Sequence, residues 1–393
     1  MTEQSSGPLA GVKILDMTTV LLGPYATQIL GDLGAEIIKV ETAAGDRLRW
    51  TAKSRNQKGM SPLYLTVNRN KKSILLDLKD EKMRAQMDGL LEWADVFITN
   101  VRGAGLERLG LDYGGVKAVK ADSIYVHCVG YGSNGGGGGA YAGRQAYDDL
   151  VQAASGIADL EPKTRGTDEP ALVPSLMADK TTGLHAVYAT LAALFHKERT
   201  GEGQFVEVPM LECMVNFNLA EHFYSAQYVD QQPGDHFGYS RVMTPNRRPY
   251  KTKDGFIAVL PYADDDWPKY FALAGREDLW AKWDGMDHAD RTANIDSLYA
   301  AVGEAAIAHT TDEWLEMLDK ANIAAMRVNR LEDLMDDPHL ASVDYFQKRQ
   351  HPTEGEIWSM RHPVHFSKTP ADIRGEAPTL GGDTEDILAA LDL

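Results

Sequence analysis

A doubly wound parallel α/β domain joined to a second, smaller α+β domain is the fold class this sequence predicts, and three observations predict it. Over residues 12–132, short continuous apolar runs alternate with helical patterns. Over 225–325 the pattern turns mainly helical and carries Trp267, Trp280, Trp283 and Trp314. From 326 to 393 the α/β character resumes. Apolar strands separated by helices suit a parallel sheet covered on both faces, a Rossmann-like arrangement. The expected division is a large domain over 1–220, a small one over 225–325, and a return to the large domain over 326–393. A chain of 393 residues fits two or three domains at roughly 150 residues each.

VKILDMT (12–18) reads as the first buried strand. The helix after it opens at Pro24, whose fixed φ and missing N–H suit the first helical position. EIIKVE (36–41), SILLDL (73–78), DVFITNV (95–101) and SIYVHCVGYG (123–132) read as strands two to five, with a charged helix across 80–94. SNGGGGGAYAG (133–143) follows. Its consecutive glycines hold neither helix nor strand, and it sits at the carboxyl end of a strand, where open α/β sheets bind ligands. A flexible turn and a functional lid over 135–139 both fit it. The next elements are a long helix over 180–199 capped by Gly201 and a strand, QFVEVPM (204–210). FIAVLPY (256–262) is a strand within the helical stretch, and Thr310 with Glu313 has capping-box spacing ahead of WLEMLDKA.

The net charge of −17 repels phosphate backbones and anionic bilayers, which argues against nucleic-acid and membrane partners. It leaves room for one local basic pocket. The two cysteines, Cys128 and Cys213, lie in apolar stretches and read as buried free thiols rather than a disulfide framework. The opening MTEQSSGPLAG has no apolar signal core and no run of 18 apolar residues occurs, so a cytoplasmic location is expected. Neither a Walker loop nor G-x-S-x-G is present, and GAGLERLG (103–110) misplaces the third glycine of a dinucleotide fingerprint. His362 and His365 lack partners at metal-ligand spacing. Asp264, Asp265 and Asp266 read as helix capping, so no metal site is predicted.

Asp179, in SLMADKTTG at the start of the long helix, is open to two roles. An aspartate there caps the helix. A helix N-terminus also favours the ionised carboxylate, the form that attacks a carbonyl. Arg69, Lys71, Lys72, Lys79, Arg102 and Arg108 flank the third and fourth strands. They are either solvated surface charge or a phosphate pocket at the strand ends.

Six blocks in order then carry a resemblance: GPLAGVKILDMTTVLLGPYATQILGDLGAEIIKVE, NRNKKSILLDLK, ADVFITNVRGAGLERLGLDY, ADKTTGLHAVYATLAALFHKERTGEGQFVEVPMLE, NIAAMRVNRLEDLMDDP and APTLGGDTEDIL. Together they resemble the class III CoA-transferase family of the CaiB/BaiF superfamily. The resemblance implies that Asp179 is the nucleophile and that CoA, a substrate rather than a permanently bound cofactor, lies along the large domain. The matching CoA positions are Thr19, Val20, Leu22, Thr42, Leu76, Lys79, Asn100, Val101, Arg102, Arg108, Tyr147 and Met210. It also implies an interlocked homodimer, and acyl-CoA and carboxylic acid as small-molecule partners. Leu21 stands where oxalate-using members have glutamine, which disfavours so small a dicarboxylate. NVRGAG lacks the proline of the family's N-F-x-P-G.

The related α-methylacyl-CoA racemases form the alternative reading. They need a second acid/base, a histidine, where this chain has Tyr147, and tyrosine is a poor base near neutrality. A nicotinamide dehydrogenase and a non-catalytic acyl-CoA-binding protein are the more distant alternatives. The expected reaction is CoA transfer through an aspartyl anhydride and an aspartyl-CoA thioester.

Overall fold

The computed structural model describes residues 7–133 and 138–393. Of the glycine run expected to act as a turn or lid, residues 135–137 lie outside the described residues. The chain divides into two compact units. The larger comprises Met1–Ser155, Val173–Phe217 and Pro338–Leu393; the smaller comprises Gly156–Leu172 and Asn218–Asp337.

The larger unit is organised by six parallel strands: β1 (Lys13–Met17), β2 (Glu36–Glu41), β3 (Lys71–Leu75), β4 (Val96–Thr99), β5 (Ile124–Val129) and β6 (Phe205–Pro209). Their order in the sheet is β3-β2-β1-β4-β5-β6, and every neighbouring pair is parallel. Leu15, Ile38, Ile74, Phe97 and Tyr125 point into one core, where the helix Glu81–Trp93 supplies Met87, Leu90 and Leu91. Each such side chain, fully buried, contributes about 1.5–3 kcal/mol.

Most strand ends shift by a few residues from the sequence reading, and two shifted boundaries have a physical cause. The third strand begins at Lys71 rather than Ser73, because the Lys71 ammonium lies buried against Asp16 (3.3 Å). A lysine thus occupies a core strand position that apolar patterning misses. The long helix runs Met177–Thr200, beginning three residues before the expected Lys180. Leu176 is its N-cap and makes no side-chain cap bond, so Asp179 falls inside the first turn and does not cap it. Gly201, at φ 76°, ends the helix as expected.

Residues 338–393 complete this unit. They form an antiparallel hairpin, Phe346–His351 against Gly355–Met360, and then seal the free edge of β3. Ser73 N–H donates to the Asp383 carboxylate (2.8 Å) and Leu75 N–H to Thr384 Oγ1 (3.0 Å). Leu393 packs so closely on the Glu81–Trp93 helix that a Cβ on Gly89 would stand 2.2 Å from its Cδ2.

The smaller unit holds a three-stranded antiparallel sheet of β7 (Tyr250–Lys251), β8 (Phe256–Leu260) and β9 (Ala324–Arg327). Its core is aromatic. Tyr270 stacks on Trp314 with ring centroids 5.0 Å apart, and their polar ends are satisfied by the Val302 and Ala306 carbonyls (2.9 and 2.7 Å). The Thr310–Glu313 capping box opens the helix Thr311–Lys320. In the larger unit, β10 (Phe346–His351) and β11 (Gly355–Met360) make the hairpin. Among the described residues, no helix is long and apolar enough to cross a membrane.

Candidate active site

The strand order reverses between β1 and β4. The crossovers leaving these strands diverge, which opens a crevice at their carboxyl ends. The chain after β1 makes a tight turn there, and buried charges hold it. Asp16 accepts from Thr18 N–H (2.8 Å), Thr18 Oγ1 (2.5 Å) and Thr27 Oγ1 (2.7 Å). Lys39 donates to the Thr18 carbonyl (2.6 Å) and pairs with Asp46 (3.1 Å). Burial opposes a charge on Asp16, but Lys71, Lys39 and the two threonine hydroxyls outweigh it and hold its pKa down to about 2. Val20 sits at φ 67°, a left-handed conformation that costs a β-branched residue about 1–3 kcal/mol. Its N–H is fixed by Asp46 Oδ1 (3.0 Å).

The structure gathers most of the anticipated CoA positions along this carboxyl edge. Thr19, Val20 and Leu22 follow β1, Thr42 follows β2, Leu76 and Lys79 follow β3, Asn100, Val101 and Arg102 follow β4, and Met210 follows β6. Arg108 lies in the next helix, Gly103–Leu109. Thr42, Lys79, Arg102 and Arg108 are exposed, whereas Leu22, Leu76 and Met210 are buried. Asn100 spans the crevice: its Oδ1 accepts from Thr19 N–H (3.0 Å) and its Nδ2 donates to the Thr19 carbonyl (2.9 Å). Both ends of its amide are thus engaged in fixing the turn. Two cations weighed for a phosphate pocket are committed elsewhere. Arg69 is buried on Asp32 (2.6 Å) and Lys71 on Asp16 (3.3 Å).

Asp179 comes to the same edge through a glycine. The long helix packs on the helix Leu22–Asp32, and a Cβ on Gly183 would stand 2.9 Å from the Leu22 carbonyl oxygen. That approach is closed to any larger residue. Asp179 lies one turn before Gly183 on the same face. Among the described residues that carboxyl accepts no hydrogen bond and forms no ion pair. The adjacent Lys180 gives its ammonium to Ser175 Oγ (2.6 Å).

A second carboxylate, unremarked in the sequence, stands beside Asp179. Asp148 opens the helix Asp148–Ala154 and is buried. Its Oδ1 accepts from Asp179 N–H (3.1 Å) and its Oδ2 from Gln152 Nε2 (2.6 Å). Gln152 also accepts from Val173 N–H (2.9 Å), tying down the strand of chain that leads into the long helix. Burial first and the Asp148 charge second push the Asp179 pKa up to about 7. Desolvation and a like charge thus act against the helix N-terminus, which favours the ionised form. Tyr147 is half exposed. The signal for Asp148 was a pair of acids at a helix start, and only packing reveals its partner.

A carboxylate paired with no cation among the described residues, poised near neutrality beside a ligand crevice, suits nucleophilic attack on an activated carbonyl. Comparison with known proteins points the same way. A family model described as CoA-transferase family III matches residues 9–384. The chain is 31% identical over 383 residues to a human succinyl-CoA:glutarate CoA-transferase, covering 97% of this chain and 85% of that protein. It is 28% identical to a Haloarcula marismortui succinyl-CoA:mesaconate CoA-transferase, covering 97% and 96%. A crystal structure of a CaiB/BaiF family protein from Brucella suis superposes with a TM-score of 0.82 at 29% identity, covering 98% of this chain and 100% of that one.

Proposed function

The chain belongs to CoA-transferase family III and is a CoA-transferase that acts between carboxylic acids, and on that premise we propose that it works through a covalent intermediate on Asp179. The observation that carries the proposal is the Asp179 carboxyl, which accepts no hydrogen bond among the described residues and has a pKa raised to about 7. An acid of that strength is half ionised at neutrality and is a better nucleophile than an ordinary carboxylate.

In the first step a carboxylate oxygen of Asp179 attacks the thioester carbonyl. The C–S bond breaks, leaving a mixed anhydride and CoA thiolate. The thiolate then attacks the aspartyl carbonyl, forming aspartyl-CoA and releasing the donor carboxylate. The acceptor carboxylate attacks aspartyl-CoA and expels the thiolate, which returns to the acceptor acyl carbon and frees Asp179. Charge balances at each step, so the exchange requires no net proton transfer, metal or redox cofactor. CoA runs along the carboxyl edge of the sheet, whose strand order is that of Rossmann-like folds. Thr19, Val20 and Thr42 offer backbone and hydroxyl contacts, and Lys79, Arg102 and Arg108 offer charge for phosphates.

The protein acts as an interlocked homodimer in the cytoplasm in this reading. Exposed apolar side chains support the dimer. In the long helix, Leu184, Tyr188 and Phe195 are 51%, 59% and 63% exposed, and apolar stripes of this kind mark contact surfaces.

The test is mass spectrometry of CoA esters after incubation with an acyl-CoA donor and a pool of acids in deuterium oxide. A new thioester, lost in Asp179→Ala, is expected. A donor that gains one deuterium without exchanging its acid identifies racemase chemistry and overturns the proposal.

A further inference from the structure

We propose that the turn around Arg241 in the smaller unit binds a small oxyanion, with a carboxylate or phosphate group gripped by the two terminal guanidinium nitrogens of Arg241. The proposal stands on this unit alone and does not rest on the Asp179 reaction.

The pairing pattern of the arginines carries it. Within the smaller unit, Arg165, Arg276, Arg291, Arg327 and Arg330 each face an aspartate or glutamate. The three that pair with no carboxylate among the described residues are Arg241, Arg247 and Arg248, all on one short segment. In a chain of net charge −17, carboxylates are plentiful, and those nearby are directed elsewhere. Asp296 accepts from Thr244 and Asn246, Asp266 accepts from the Tyr262 and Ala263 N–H groups, and Asp264 pairs with Arg291.

Arg241 is also held in a way that suits a receptor. It is only 8% exposed, and arginine is rarely buried to that extent without a partner. Its Nε donates to the Tyr299 hydroxyl (3.1 Å) and its guanidinium carbon lies 4.9 Å from the Tyr262 ring centroid. These contacts fix the plane of the group. Its two terminal nitrogens meet no acceptor among the described residues, and neither is sealed from solvent. A guanidinium fixed at Nε and open at both ends presents two parallel N–H donors, the geometry that takes two oxygens of one carboxylate or phosphate. Arg247 and Arg248 are exposed and add charge around it. Burial and Tyr299 push the Tyr250 phenol up, while Arg248 and Arg247 pull the other way, which places both cations near Tyr250, a neighbour of the Tyr299 that holds Arg241.

The ligand is either the carboxylate of a small acid or a phosphate of a nucleotide-bearing molecule. Isothermal titration calorimetry on the full-length protein distinguishes them, with succinate and inorganic phosphate as separate probes at fixed ionic strength. The variants are Arg241→Lys, which keeps the charge and loses the fork, and a double Arg247→Ser, Arg248→Ser substitution on exposed positions; circular dichroism checks their folding. Saturable binding of at least one probe is expected, about tenfold or more weaker in Arg241→Lys. Preference for succinate assigns a carboxylate and preference for phosphate assigns a phosphate. If neither probe binds, or if folded Arg241→Lys and the double variant both bind as the parent does, the proposal falls. It falls equally if the substitutions alter only the oligomeric mass in sedimentation and leave binding intact, because the arginines would then face a second copy of the chain.

Discussion

Asp16 and Asp179 are the same residue in the same unit, and their surroundings drive them in opposite directions. Asp16 is fully buried yet held down to about 2, because Lys71, Lys39 and two threonine hydroxyls converge on it. Asp179 is less enclosed yet pushed up to about 7, because burial acts on it with another carboxylate as its close charged neighbour. Depth alone therefore does not set the charge; the partners do. The compensated aspartate fixes a backbone turn, and the uncompensated one keeps its oxygens available for chemistry.

The contrast can be broken most severely at the reacting group. Asp179→Ala is expected to reduce CoA transfer by at least about a thousandfold, read as turnover of an acyl-CoA donor, with folding retained. Asp16→Asn should act on stability instead. It leaves Lys71 buried without its ion-pair partner and Lys39 with Asp46 alone, and is expected to cost about 3–5 kcal/mol in urea unfolding; a loss below 1 kcal/mol would deny the network its role. Gly183→Ala lies between the two regions. Its Cβ would meet the Leu22 carbonyl, so a loss of about 1–3 kcal/mol is expected together with lower activity.

Two smaller effects sharpen the comparison. The acidic limb of kcat/KM should fall near pH 7, where free Asp179 titrates. Asp148→Asn keeps an acceptor for Asp179 N–H but removes the like charge. It should move that limb downward by less than about one pH unit, since burial is the larger cause. A limb that stays put would make Asp148 a purely structural anchor. Finally, the folded pKa of Asp179 lies above its unfolded value of 3.8, so between roughly pH 4 and 7 the folded state binds more protons and ionisation costs stability as pH rises. Asp179→Asn should therefore raise Tm at pH 8 relative to the parent, by a few degrees (~2–4 °C per kcal/mol), and have little effect at pH 4.

How far these features could be read from the sequence depends on how local they are. The strands of the sheet and the Gly201 cap are set by neighbouring residues, and the structure places them within a few positions of the reading. Lys39 and Lys71 break the apolar pattern of their strands, and what makes them tolerable is Asp16, distant in sequence and adjacent in space. The family resemblance puts Asn100 among the CoA contacts, and its two bonds to Thr19 depend on the sheet placing β4 beside β1. Asp148 is invisible to local pattern for the same reason, since its effect on Asp179 exists only once two helices meet. The Asp179 pKa is the clearest case, because no local rule reports how much water a fold removes.

The segment that seals β3 has a consequence for biosynthesis. Asp383 and Thr384 supply partners to strand residues Ser73 and Leu75, but they are made only after the whole of Asn218–Asp337. At ribosomal rates of roughly 5–20 residues per second, the nascent sheet waits several seconds or more with its outer edge unpaired. During that interval the growing chain offers an open strand to any neighbour, so holdase chaperones should engage it on the ribosome and release it once Asp383 and Thr384 have paired with β3.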